Sequence, residues 1–139
     1  LASTSEIKSS IAKKTMIAVN DRQLPDSSND QSVMYFHWWP KKDTALWLEY
    51  TFTKPETISE SSVYWFDDGP HGGCRLPESW KILYKLHNKW VEVSKTNEYP
   101  NEKNKLNTIR FNKITTQHVR LEVRLQKEWS AGIYEWSVN

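Results

Sequence analysis

Along most of the chain, apolar and polar residues alternate with period two, the pattern of half-buried β-strands. Leu46, Leu48, Tyr50 and Phe52 alternate with Trp47, Glu49 and Thr51. Trp80, Ile82 and Tyr84 alternate with Lys81, Leu83 and Lys85, and Ile109 and Phe111 flank Arg110. The cleanest run sets Val119, Leu121, Val123 and Leu125 against His118, Arg120, Glu122 and Arg124. One face of that strand is apolar and the other polar, as expected when one side of a sheet meets a core. Residues 63–66 (Val-Tyr-Trp-Phe) are apolar on both faces, which predicts a strand covered twice or one leading into a site. A last strand is predicted over 133–138.

Turn signals separate these runs: Lys54-Pro55, Asp67-Asp68-Gly69-Pro70, Gly72-Gly73, His87-Asn88 and residues 101–107. No helical apolar stripe runs beyond about two turns. Many short strands at such spacings predict an all-β, antiparallel sandwich or jelly roll. Residues 1–14 are polar and Ser-rich and are expected to be a linker or leading segment, with the β-module over 15–139. Two stretches, 20–43 and 67–79, are long and irregular. Long loops on a rigid β-scaffold are where binding function usually sits.

Composition narrows the function. The 139 residues carry 19 Lys+Arg against 17 Asp+Glu, a net charge of +2. That balance argues against an electrostatic nucleic-acid binder. A mean hydropathy of −0.76 and the lack of a long apolar run argue against a membrane-spanning helix. Eight Trp in one small domain exceed what a core requires. The single cysteine, Cys74, forms no internal disulfide and reads as a small buried hydrophobe. The chain opens on Leu1 and is expected to be the C-terminal module of a longer protein.

The order of the segments carries a resemblance. A predicted Ala-Val strand leads into an Asn20-Asp21 turn, followed by Trp-Leu-Glu-Tyr-Thr-Phe at 47–52 and Val-Tyr-Trp at 63–65. Trp-Lys-Ile-Leu-Tyr at 80–84 and Lys-Trp-Val-Glu-Val at 89–93 come next. Val-Arg-Leu-Glu-Val at 119–123 and Gly-Ile-Tyr-Glu-Trp-Ser-Val at 132–138 close the chain. From about residue 15 to 139 this resembles the discoidin, or coagulation-factor C-terminal, type of domain. Its bacterial members include carbohydrate-binding module family 32. Residues 36–42 and 64–77 resemble modules appended to bacterial glycoside hydrolases similar to the β-L-arabinofuranosidases of gut Bacteroidetes. The resemblance implies an eight-stranded, galactose-binding-domain-like β-sandwich that is non-catalytic and often holds one structural calcium. It also implies a secreted, periplasmic or outer-membrane-surface location, a catalytic domain in the parent chain as partner, and no membrane binding. The isolated domain is expected to be a monomer. Two departures stand out: the Cys pair that ties the termini of animal members is absent, and Asp21-Arg22 replaces the common Asp-Gly.

Sugar recognition needs flat aromatic faces for the C–H side of a ring and planar polar groups for its hydroxyls. The two long loops hold that mixture: His37, Trp38 and Trp39 in the first, and Asp67, Asp68, His71 and Arg75 in the second. Trp65 leads into the second loop, and Trp129 lies in the last. Each has a structural alternative. Neighbours in extended chain point opposite ways, so one of Trp38 and Trp39 is expected in the core. Trp65 continues the face of Val63. Asp67-Asp68 fits a simple turn, and Arg75 fits an internal ion pair with either Asp. Trp47, Trp80, Trp90 and Trp136 fit structural strand positions. For calcium, the resemblance implies Asp21 and Glu135, with Asp30 as a further ligand from the insertion. The alternative is that Glu135 bonds a backbone amide or an arginine with no metal. The functional expectation is a glycan-binding module, with a structural module packed on a catalytic domain as the rival. Catalysis is disfavoured, because adjacent aspartates in a turn do not face each other across a glycosidic bond.

Overall fold

The structure, a computed structural model, describes residues 1–11 and 13–139. Seven strands are seen among the described residues: β1 Glu6–Ser9, β2 Phe36–His37, β3 Ala45–Phe66, β4 Ser79–Leu86, β5 Lys89–Glu92, β6 Leu106–Arg124 and β7 Gly132–Val138. All strand pairings are antiparallel. Short 3-10 helices span Ala2–Thr4 and Lys14–Asn20, so Ala18 and Val19, expected in a strand, are helical instead and are fully buried there.

The sandwich is built by two long strands that each run through both layers. In β3 the register with β6 shifts between Thr51 and Glu56 and again between Ile58 and Glu60. Before the shift, residues 45–51 pair with 118–124 of β6 and also with β1. After it, residues 60–64 pair with 106–110 of β6, and residues 61–66 pair with β7. One layer is therefore β1–β3–β6–β4–β5 and the other β2–β7–β3–β6. The Lys54-Pro55 turn expected from sequence is instead the first irregularity within β3. Pro55 has no N–H for a ladder, so a bulge is where it fits. This double use of β3 and β6 explains why seven continuous strands make the sandwich where eight were expected. Within the segment 1–14, β1 pairs with β3 through Glu6–Thr51 to Ser9–Leu48.

The main core lies between the layers and includes Leu48, Tyr50, Ile82, Ile109, Leu121 and Trp136, each fully buried. Tyr50 stacks on Trp136 at 4.0 Å, and its hydroxyl donates to the Trp136 carbonyl at 2.6 Å. Trp80 also belongs to this core. Trp47 and Trp90 lie on the outer side of the first layer. The Arg120 guanidinium sits 4.1 Å from one ring centre and 4.0 Å from the other, and Nη2 reaches Glu49 at 3.1 Å.

Residues 63–66 are covered on both faces, as their sequence predicts. Val63 and Trp65 enter the main core, while Tyr64 and Phe66 join Cys74 and Tyr134 in a second cluster. Val33 and Tyr35 of the first long loop cover that cluster. The loop is held by backbone partners. Ser28 and Asn104 exchange two bonds of 2.8 Å. Asp67 N–H donates to the Ser28 carbonyl at 2.8 Å, and the Tyr134 hydroxyl donates to the Asp30 carbonyl at 2.6 Å. The two chain ends meet, with Leu1 to Ser3 and Ser137 to Asn139 lining one shallow hollow.

Candidate functional site

Three loop segments converge where β2 meets β7. Trp38 N–H donates to the Ala131 carbonyl at 3.0 Å. Arg75 N–H donates to Ser130, and Ser130 N–H donates to Gly73, both at 3.0 Å. These bonds close a concavity of about 390 Å³. Its apolar wall contains Phe66, Tyr35 and Cys74, and Tyr35 stacks on Phe66 at 3.9 Å. Trp39 forms another wall and is 55% exposed. Its indole lies against Gly73, where a Cβ would sit 2.5 Å from ring atoms Cδ1 and Nε1. The missing side chain is what lets the ring rest there.

The polar lining is His37, Asp68 and His71. Asp68 Oδ1 accepts from Cys74 N–H at 2.8 Å and lies 3.6 Å from Arg75 Nη1. A Cβ on Gly72 would overlap the Asp68 carboxylate, so glycine makes room for it. Lys13 Nζ donates to the carbonyls of His37 and Trp39 at 2.7 and 3.3 Å and lies 3.4 Å from His37 Nδ1. Burial, then the Lys13 charge, lowers the His37 pKa, against a smaller opposing pull from Asp68. The imidazole is therefore neutral near pH 7, presenting one donor and one acceptor nitrogen. Burial pushes the Cys74 thiol up to about 12, with Asp68 adding to the effect, so it stays protonated.

Of the residues proposed from sequence, His37, Trp39, Asp68 and His71 line the concavity. Three need correction. Trp38 and Trp65 are fully buried in the main core, packed edge-on against Phe36 and Trp80. Asp67 is buried with both oxygens committed, to Gly69 N–H and Leu76 N–H at 3.0 Å each. It ties the loop together and is out of reach of a ligand. Arg75 and Trp129 stand beside the concavity, stacked with 3.9 Å between guanidinium and ring centre. Arg75 Nη1 also donates to the Gly72 and Cys74 carbonyls at 2.7 and 2.8 Å, so it braces the loop. Sequence reasoning missed Tyr35 and Phe66 as lining residues. The two-sided apolar run ending at Phe66 was the available signal.

The proposed metal ligands do not all meet. Glu135 Oε1 accepts from Arg22 N–H at 3.0 Å. Burial, together with the nearby Asp21 carboxylate, pushes the Glu135 carboxyl up to about 8, against the lowering pull of the Arg22 bond. Asp30 is spent on its own loop: Oδ1 accepts from Ser32 N–H and Oγ at 2.9 and 2.6 Å, and Oδ2 from Asp26 N–H at 3.1 Å. Its expected place in the set is corrected accordingly. Among the described residues, no three His, Cys, Asp or Glu side chains form a metal-holding group. Of the expected set, Asp21 and Glu135 are neighbours, the Asp21 carboxylate acting on Glu135 by charge and hydrogen bond. Calcium takes six to eight oxygens, so carbonyls or water would have to complete the shell.

No family model matches the chain. Solved structures do. A chain from the Streptococcus pneumoniae beta-galactosidase BgaA superposes with a TM-score of 0.78 at 17% identity, over 97% of this chain and 91% of that one. Chitosan-binding module 1 of a chitosanase/glucanase from Paenibacillus sp. IK-5 gives 0.69 at 14% identity, over 99% and 96%. The family 32 carbohydrate-binding module of Clostridium perfringens NanJ, solved with galactose, gives 0.67 at 12% identity, over 96% and 92%. The chain thus has the galactose-binding-domain-like β-sandwich fold of these modules.

Proposed function

We propose that this domain is a non-catalytic carbohydrate-binding module that takes a glycan in the concavity walled by Trp39. The observation that carries this reading is the exposed Trp39 ring, seated on Gly73 beside Asp68, His37 and His71. The indole, held with its Cδ1–Nε1 edge close to Gly73 and more than half exposed, has open surface to meet the C–H face of a sugar ring. Neutral His37 and the Asp68 carboxylate serve hydroxyls, which donate and accept at once. The likeness to a chitosan-binding module and to a module solved with galactose supports the same class of ligand.

Its parent is proposed to be a secreted bacterial glycoside hydrolase of the arabinofuranosidase-like kind, on the resemblance of residues 36–42 and 64–77. There the module would raise the effective concentration of the attached catalytic domain on its polysaccharide. Asp21 and Glu135 are the residues proposed to hold a structural calcium, whose charge would offset their mutual repulsion. One observation favours the rival reading, a module docked on its catalytic domain. Trp129 is exposed outside the concavity and stacks on half-buried Arg75, and Trp and Arg are enriched at protein interfaces.

Screening the domain on a broad glycan array, with calorimetry on each hit, tests the proposal. Binding that is lost in Trp39→Ala, with the fold intact, supports it. Silence across the array from a folded domain rejects it.

A further inference from the structure

The concavity walled by Trp39 does not stand alone. A second hollow shares Tyr35 and His37 with it and adds Thr15, Gln31, Ser32, Val33 and Met34. A third shares Asp68, His71 and Gly72 with the first and Gln31 with the second, and adds Asn29. Their volumes are about 390, 380 and 390 Å³. Each falls within the range of sites for small ligands, and the residues they share set the three side by side as a trough of adjoining hollows. Gln31 stands where the second and third meet, its Oε1 accepting from the Tyr35 hydroxyl at 3.1 Å.

Beyond the apolar wall of Tyr35, Phe66 and Cys74, the second and third hollows add mostly neutral polar groups. Thr15, Ser32, Asn29 and Gln31 carry hydroxyls and amides, groups that pair with sugar hydroxyls without charge. Among the described residues, the trough lining holds one carboxylate, Asp68, and no lysine or arginine. The nearby cations are turned elsewhere. Lys13 Nζ serves the His37 and Trp39 carbonyls, and Arg75 Nη1 serves the Gly72 and Cys74 carbonyls. Among the described residues, an anionic ligand would meet Asp68 with no cation in the lining, since its neighbour Arg75 at 3.6 Å is already engaged by Asp68 and by the loop carbonyls.

The outer wall is also held in place. The Asp30 carboxylate fixes Ser32 and Asp26, while Ser28 is tied to Asn104 and Asp67. A wall fixed before binding lowers the ordering cost of each contact it makes.

We infer that the trough takes an uncharged oligosaccharide chain across contiguous subsites, with Gln31 at the junction, rather than a single terminal sugar. This rests on the glycan reading above and adds chain length and charge to it.

The test is calorimetry with neutral length series, galactose to β-1,4-galactotetraose and arabinose to arabinotetraose, alongside oligogalacturonides of the same lengths. In the neutral series that binds, affinity should rise about tenfold or more from one sugar to three and then level off. Gln31→Ala should flatten that rise, bringing the trimer close to the monomer, while circular dichroism reports the unchanged fold. Equal affinity for monomer and trimer, or a rise that Gln31→Ala leaves intact, overturns the inference and leaves the Trp39 site standing. An oligogalacturonide that binds as tightly as the best neutral trimer overturns the charge argument. Silence from every probe here and across the array removes the glycan reading itself, and this inference with it.

Discussion

Replacing Gly73 by alanine probes the Trp39 platform without touching its chemistry. The new Cβ would lie 2.5 Å from Trp39 Cδ1 and Nε1, against ordinary contacts of 3.4–4 Å, so the ring must move by about 1 Å or more. Gly73 does not have positive φ, so alanine suits its backbone. The ring is exposed and free to swing, and the fold should keep its stability to within about 1 kcal/mol. The loss in binding follows from area. A tryptophan side chain offers roughly 150–250 Å² for burial, and 55% of this one is open. A sugar stacked on it covers about half of the open part, or about 40–70 Å², worth about 1–1.7 kcal/mol. Affinity should therefore fall about 5–20-fold, close to the effect of Trp39→Ala. Calorimetry on an array hit measures the affinity, and thermal melting confirms the fold. If both variants bind like the parent domain, Trp39 is not the platform and the reasoning fails.

Other substitutions test other parts of the structure. Trp38→Ala and Trp65→Ala each empty a fully buried position and should cost about 3–5 kcal/mol in denaturant unfolding. A cost below about 1 kcal/mol would contradict their place in the core. Asp67→Ala orphans two loop amides and should destabilise the domain by about 1–3 kcal/mol while weakening glycan binding, although Asp67 touches no ligand. The lowered His37 pKa predicts a pH effect. As pH falls through the unfolded value of about 6.5, the unfolded chain takes up this proton first, so stability declines toward acid. His37→Gln should remove that component from the melting-temperature profile, and superimposable profiles would refute it. Calcium should raise the melting temperature and EDTA reverse the rise, with both effects absent in the Asp21→Asn, Glu135→Gln double variant.

The sandwich was legible because alternation is local. Val119 to Leu125 point one way whatever the rest of the chain does, and the structure buries all four apolar residues of that run. The continuity of β3 and β6 was not legible, since Lys54-Pro55 has the same composition in a turn and in a bulge. In the site, Trp39 and Asp68 were found by residue type, but so were Trp38 and Asp67, which point inward. In irregular chain no period assigns a side chain to a face. The backbone bonds to Ala131, Gly69 and Leu76 made that assignment. Tyr35 became a wall only through its stacking on Phe66, a contact between residues 31 positions apart. Trp47 and Trp90 read as ordinary strand residues, because their shared partner Arg120 comes from a third strand.

The meeting of the two chain ends has an orientational consequence. β7 starts at Gly132, beside His37 and Phe66 of the trough, and finishes at Val138 in the hollow lined by Leu1 to Ser3. Seven residues of extended chain separate trough from termini by about 20 Å. A polypeptide joined to either end leaves from the pole opposite the trough. The domain can thus be tethered, labelled or immobilised through either terminus with its mouth facing outward, and a doubly tethered copy, inserted within another chain, would present the same open face.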